Sequence, residues 1–309
     1  MTGYAARRLL AAVPTLLLAV ALVFVLLHLI PGDATAQLLG GKASAADVAR
    51  RRAELGLDRP VPSQLGTFLA GLSRGDLGTS LTREQPVSQV IGAAAAPTLL
   101  LLVLGTAVSA LAALAAGTLA AYHRGRALDH LVRAASVTGG AVPSFCLAIV
   151  LIQLLALNLR LLPVSGYRAG LAGLPYLVLP VLTFAVMAGS VLTRLVRAGV
   201  LAELPREYVG AAVARGIPAR RVRTGYVQRN AVLPVVTYLG TNLGSLIGVV
   251  VVIENVCAVP GLGQLLVRSV LERDLPVVQG IALVLAVLVI GGNILADLVC
   301  AALDPRFRL

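Results

Sequence analysis

Pro97-Thr-Leu-Leu-Leu-Leu-Val-Leu-Gly-Thr-Ala-Val-Ser-Ala-Leu-Ala-Ala-Leu-Ala-Ala-Gly-Thr-Leu-Ala-Ala121 contains no charged residue. About 20 apolar residues in a helix match the ~30 Å hydrocarbon core of a bilayer. A surface helix of a soluble domain would carry a charged face opposite its apolar one, and this stretch has none. It reads as a membrane span. Outward from it, comparable apolar blocks run over about 9–30, 137–157, 174–195, 235–253 and 278–302. The expectation is an all-α integral membrane protein with six transmembrane helices. Composition agrees: 58% of the 309 residues are hydrophobic and 13% charged, where a soluble domain carries about 25% charged residues.

The formal net charge of +12 raises nucleic acid as a partner, but aromatics make up only 4%, Trp is absent, and no basic run has stacking residues interleaved. No nucleic acid is expected; arginines beside apolar spans serve as topology signals and contacts to membrane lipid. Cys146, Cys257 and Cys300 show no CxxC or Cys/His spacing, so they read as packing residues rather than a disulfide frame or metal site. The first block follows Arg7-Arg8 and closes at Pro31-Gly32-Asp33. It is too long for the apolar core of a signal peptide and no small-residue cleavage site follows, so it reads as an uncleaved span.

Six spans put both termini on one side, and the arginines choose the side. The segments read as cytoplasmic hold Arg7, Arg8, Arg124, Arg126, Arg133, Arg194, Arg197, Arg206, Arg215, Arg220, Arg221, Arg223, Arg229, Arg306 and Arg308. The two short outer loops hold Arg160, Arg168, Arg268 and Arg273. The bias places both termini in the cytoplasm of a multi-pass protein. Residues 31–96 then lie outside. Within them Ser44 caps a helix to about Leu55, with Asp47 three residues on; Gly56 stops it, and a second short helix runs from Pro60 to about Ser73. The organisation expected is 1–96, a first span with an extracytoplasmic helical hairpin, and 97–309, a five-helix core.

The longest cytoplasmic segment holds Leu204-Pro-Arg-Glu-Tyr-Val-Gly-Ala-Ala-Val-Ala-Arg-Gly216-Ile-Pro218. Pro205 suits a first helical position, Glu207 the N-terminal dipole, and Gly216 with Pro218 a helix stop. Tyr208, Ala211, Ala212 and Ala214 give the helix a small-residue face that another protein can approach closely. A second piece opened by Pro218 carries Arg220, Arg221 and Arg223 into Leu233-Pro234. A plain amphipathic connector lying at the lipid interface is the competing reading.

Ala211-Ala212-x-x-x-Gly216, ending in Leu233-Pro234, resembles the EAA loop of ABC importer permeases, with Gly210 at the glutamate position. Tyr208-Val, Ala212-x-Ala214-Arg215-Gly216 and Arg229-Asn230-Ala-Val-Leu-Pro234 resemble the B-type subunit of the dipeptide/oligopeptide family. Leu29-Ile-Pro-Gly-Asp33, Leu55-Gly-Leu-Asp-Arg-Pro60, Arg74-Gly-Asp-Leu-Gly-Thr-Ser80, Leu162-Pro-Val-Ser-Gly-Tyr167, Val259-Pro-Gly-Leu-Gly263 and Leu303-Asp-Pro-Arg-Phe-Arg308 fit in the same order. Cys257, Val259 and Tyr226 depart from the family's usual residues.

The resemblance implies a type I ABC importer permease fold in the bacterial plasma (inner) membrane, with an EAA coupling loop at about 204–234. It implies ATPase-coupling roles for Glu207, Tyr208, Ala211, Ala212, Ala214, Arg215 and Gly216, with Ala211, Ala212 and Gly216 as a knob seated in the ATPase. It also implies a second homologous permease, two ABC ATPase subunits or domains that bind ATP and Mg, and an extracytoplasmic solute-binding protein meeting Asp76, Leu77, Gly78 and Thr79. The cargo implied is di- or oligopeptide, with nickel or glutathione as alternatives within the family; no histidine- or cysteine-lined path favours nickel.

No GxxxxGK[ST] loop surrounds Lys42, the sole lysine, so this chain is not expected to bind ATP. No paired carboxylates or nucleophile–base set marks a catalytic site, and no cofactor or metal is expected. Glu254 and Asp297 read as partners of nearby arginines, and His28 as an interfacial residue. Gly240, Gly244 and Gly248 suggest close helix packing, or a face on which Thr241, Asn242 and Ser245 line a pathway. A channel or scaffold working without ATP remains the alternative of another class.

Overall fold

A computed structural model describes residues 2–29, 44–54, 56–168 and 170–303, with the side chains of 2–12, 27–29, 171 and 303 left aside. Readings that rest on the side chains of Arg7, Arg8 and His28, on Pro31 to Asp33, Lys42 and Leu55, or on Asp304 to Arg308 lie outside the described residues. The chain is all-α: α1 Thr2–Leu29, α2 Ala45–Glu54, α3 Val61–Leu72, α4 Val87–Tyr122, α5 Ala127–Ala141, α6 Ser144–Leu151, α7 Leu174–Glu203, α8 Glu207–Ala214, α9 Ala219–Arg221, α10 Gln228–Ala231, α11 Leu233–Thr241, α12 Leu243–Val256, α13 Leu262–Leu271 and α14 Leu275–Leu303. Wider π-helical turns, Ile152–Asn158 and Val222–Val227, follow α6 and α9. Among the described residues the β pairing is a single bridge, Thr79 to Pro86.

Among the described residues, α4, α7 and α14 are each long and apolar enough to cross a membrane, and two bent helix pairs bring the number to five at most. The described apolar part of α1, Val13–Leu26, is shorter than a span. Two of the expected spans are not straight rods. The block read over 137–157 turns by 107° between α5 and the α6 segment. Pro143 forces Val142 into an extended conformation, φ −78° and ψ 127°, because a residue before proline is pushed out of the helical region. The block read over 235–253 breaks by 65° between α11 and α12, at Asn242. Gly240, Gly244 and Gly248 consequently do not form one straight stripe. A side chain at Gly240 would overlap Ala296 of α14, whereas one at Gly248 would meet nothing within 4 Å.

Contacts divide the chain into two units, residues 1–96 with 260–290, and 97–259 with 291–309. Residues 260–290, read from sequence as part of the five-helix core, pack with the first unit. In that unit Ser44 caps α2 as expected: its Oγ donates to Asp47 at 2.7 Å and accepts the Asp47 N–H at 3.2 Å. Phe24 of α1 stacks on Phe68 of α3 with ring centroids 6.3 Å apart. Val87, Ile91, Leu262, Val277 and Ile281 form its apolar core.

The second unit is built on α7, whose best apolar window is 61% buried, against 28% for α4 and 11% for α14. One cluster joins Leu101, Phe184, Val250 and Ile253; another joins Ala113, Leu192, Val196, Val200 and Val235. α4 approaches α7 closely at Gly117, where an added Cβ would lie 2.7 Å from the Thr193 carbonyl. The carboxylate of Asp129 on α5 is clamped by Arg197 of α7 through two bonds, Nε at 2.6 Å and a terminal nitrogen at 2.8 Å. The second carboxylate oxygen also accepts the Gly125 N–H at 3.0 Å. Glu254 is fully buried and accepts a hydrogen bond from Thr98 Oγ1 at 2.6 Å.

Candidate docking site

α7 ends at Glu203, the chain turns through Leu204-Pro205, and Arg206 in extended conformation caps α8. Pro205 thus lies outside the helix rather than at its first position. The C-terminus of α8 is stopped by Gly216 at φ +73°. The Gly216 N–H donates to Val213 O at 2.9 Å and the Ile217 N–H to Ala212 O at 3.2 Å. This paired pattern satisfies two carbonyls that the helix end leaves open, and it needs a left-handed residue where Gly216 stands. Pro218 then caps α9, and the chain returns through α10 to Leu233.

Burial sorts the residues of α8. Val209 and Ala212, three apart and hence on one face, are buried with Val196, Val200, Val222 and Val227. Ala212, expected as part of a knob seated in a partner, is 4% exposed. It belongs to this chain's own core and is not available to another protein. Glu207, Gly210, Ala211, Ala214, Arg215 and Gly216 are exposed, and Val213 is 60% exposed. A Cβ built on Gly210 or Gly216 meets no neighbour within 4 Å. The face left open is small, with Arg206, Glu207 and Arg215 as charges at its edge.

Tyr208 is half-buried and turned inward. Its hydroxyl donates to Glu203 Oε2 at the end of α7 and accepts from Asn230 Nδ2 of α10 at 3.0 Å. One oxygen thereby ties the first turn of α8 to the helices before and after it. Burial, reinforced by the Glu203 carboxylate, pushes the hydroxyl's pKa above the ordinary phenol range. Arg223, behind α8, stacks over the Tyr122 ring with its guanidinium carbon 4.7 Å from the centroid. Asn230 was quoted from sequence only as part of a motif and Glu203 not at all, although Glu203, five residues before Tyr208, was within reach of a close reading.

The other expected sites are spread out. Thr241 and Ser245 are exposed, and Asn242 is half-buried at the α11–α12 break, its Nδ2 donating to Tyr238 O at 3.1 Å. Asp76, Leu77, Gly78 and Thr79 form one turn, in which Asp76 Oδ1 accepts the Gly78 N–H at 2.8 Å. Leu77 is not presented outward there; it packs on the Val87–Val277 cluster. The turn's anchor escaped sequence reading: Asp274, fully buried, accepts from Ser80 Oγ, Leu81 N–H and both donors of Thr82.

Comparison with known proteins gives this geometry a context. Residues 113–309 match the family model "Binding-protein-dependent transport system inner membrane component". Residues 1–101 match "Binding-prot-dependent transport system membrane comp, N-term". The chain is 37% identical over 308 residues to the glutathione transport system permease protein GsiC of Pectobacterium atrosepticum, covering 100% of this chain and 99% of that one. It is 38% identical over 312 residues to a putative peptide transport system permease protein of Brucella abortus, with the same coverage. Over 308 residues it is 36% identical to GsiC of Salmonella typhimurium, again covering 100% and 99%.

Proposed function

The chain belongs to the family of binding-protein-dependent transport system inner membrane components, and from that premise we propose that it forms half of the translocation pathway of an ATP-driven importer of short peptides. As an integral inner-membrane permease it works with other subunits of its transport system. The finer assembly inferred is a second homologous permease, two ATPase subunits that bind ATP and Mg, and an extracytoplasmic solute-binding protein. Both termini and α8 face the cytoplasm in this reading. Glutathione is itself a short peptide, and relatives named for glutathione and for peptide transport support that cargo class.

The observation that carries the reading is α8: a short helix stopped by Gly216, fixed to its own unit on one face and bare on the other. An exposed row of Gly210, Ala211, Ala214 and Gly216 lets a partner reach the backbone, while Val209, Ala212 and Tyr208 hold the helix to α7 and α10. When ATP closes the ATPase pair, α8 moves with it and the attached helices reorient between inward- and outward-open states. ATP shifts that equilibrium only through its tighter binding to the closed pair.

Ala211→Arg tests the reading in proteoliposomes holding the whole transporter. It places a long charged side chain on the bare face and leaves the buried one untouched. Insertion and basal ATP hydrolysis are expected to persist, while stimulation by loaded binding protein and uptake of labelled di- and tripeptides are lost. Undiminished stimulation sinks the assignment of α8.

A further inference from the structure

The first unit holds an open cavity of about 600 Å³, lined by residues of α1, α2, α3, the turn over 74–81 and the first turns of α14. Small-ligand sites occupy roughly 300–1,000 Å³. Phe24, Phe68 and Pro276 make its apolar side; Arg59, Arg74 and Gln279 make its polar side. The two acids in the wall are already engaged: Glu54 with Arg51 at 3.0 Å, and Asp76 with the Gly78 N–H at 2.8 Å. Arg59 and Arg74 have no carboxylate partner among the described residues. Gln279 is 9% exposed, and its side-chain amide has no hydrogen-bond partner among the described residues.

We propose that this cavity binds the headgroup of an anionic phospholipid. Its chemistry asks for a ligand with a negative end and an apolar body. Two guanidiniums free of carboxylates are suited to phosphate oxygens, which they hold with paired N–H donors. Gln279 in the wall offers a donor and an acceptor to a phosphate ester and a glycerol hydroxyl. Its position selects the lipid. Gln279 and Pro276 lie in the first turns of α14, an apolar helix long enough to span, and Phe24 lies on the apolar stretch of α1. The cavity therefore opens beside the start of a spanning helix, at the level of lipid headgroups. Leu18 and Leu22 of α1, 71% and 57% exposed, continue the apolar surface along which acyl chains would lie.

The test is native mass spectrometry of the full chain in neutral detergent, titrated with short-chain phosphatidylglycerol, phosphatidylcholine or inorganic phosphate. Phosphatidylglycerol is expected to bind about tenfold more tightly than phosphatidylcholine, a difference of about 1.4 kcal/mol. The double variant Arg59→Gln/Arg74→Gln loses that preference; both side chains are exposed, so folding is preserved. Gln279→Glu, which sets a like charge inside the cavity at equal volume, loses it as well. Arg52→Gln removes an exposed arginine outside the cavity and keeps the preference. Equal binding of the two lipids overturns the proposal, as does a preference that survives in the double variant. Displacement of phosphatidylglycerol by equimolar inorganic phosphate, or by an acidic peptide, overturns it too.

Discussion

Asp274 has no exposed surface, yet its carboxylate meets the hydroxyl of Ser80, the N–H of Leu81 and both donors of Thr82. Arg83 reaches over it to Glu272 at 3.4 Å. Removing the acceptor strands several donors at once, and each stranded donor costs about 1–3 kcal/mol. Asp274→Ala is expected to destabilise the chain by on the order of 3 kcal/mol, and Asp274→Asn, which keeps one acceptor oxygen, by less. Thermal unfolding of the purified variants checks the order; an unchanged midpoint for Asp274→Ala removes the turn's anchor from the account. A partnership across nearly 200 residues cannot be read along a chain. The inward turn of Ala212 was more accessible, because Val209 sits three residues before it and an apolar pair at that spacing marks a core face. Alanine itself suits a contact surface and a core equally, and Val213, exposed beside it, blurs the period.

Among the elements, α8 owes its length to Gly216. A β-branched residue in the left-handed region costs roughly 1–2 kcal/mol, so Gly216→Val is expected to fray the end of α8, while Gly216→Asn, which tolerates that region, leaves it near normal. Hydrogen exchange at Gly216 and Ile217, whose amides close the helix end, measures the difference; equal protection in both variants contradicts it. The stop was legible from Gly-Ile-Pro, as was the α2 cap at Ser44. The two bends were less so. Pro143 stands in an apolar block whose hydropathy favours continuity, and only the restriction proline places on Val142 announces the turn. At Asn242 there is no proline; flanking glycines lower helix propensity, and the asparagine amide takes the Tyr238 carbonyl.

For the molecule as a whole, the arginine bias expresses a single choice of sidedness, and labelling tests it. With Cys146 replaced and Cys257 and Cys300 buried, Ser63→Cys and Ala214→Cys report on opposite faces, both positions being exposed. A membrane-impermeant maleimide is expected to label position 63 in intact cells and position 214 only after permeabilisation. The reverse pattern refutes the orientation. Membrane class and helix content were plain from repeated uncharged blocks of about 20 residues, the length that crosses a bilayer core. The grouping of 260–290 with the first unit was not, because chain order says little about which helices pack together.

Val209 and Ala212 share one cluster with Val196, Val200 and Val235. A close-packed interior passes a load on instead of soaking it up. In mechanical language, the joint between α8 and its neighbours has no backlash: a nudge of the short helix is felt at once along α7 and at the foot of α11. Beyond that cluster the first interruption of the backbone along α11 is at Asn242, where the straight path of such a load ends.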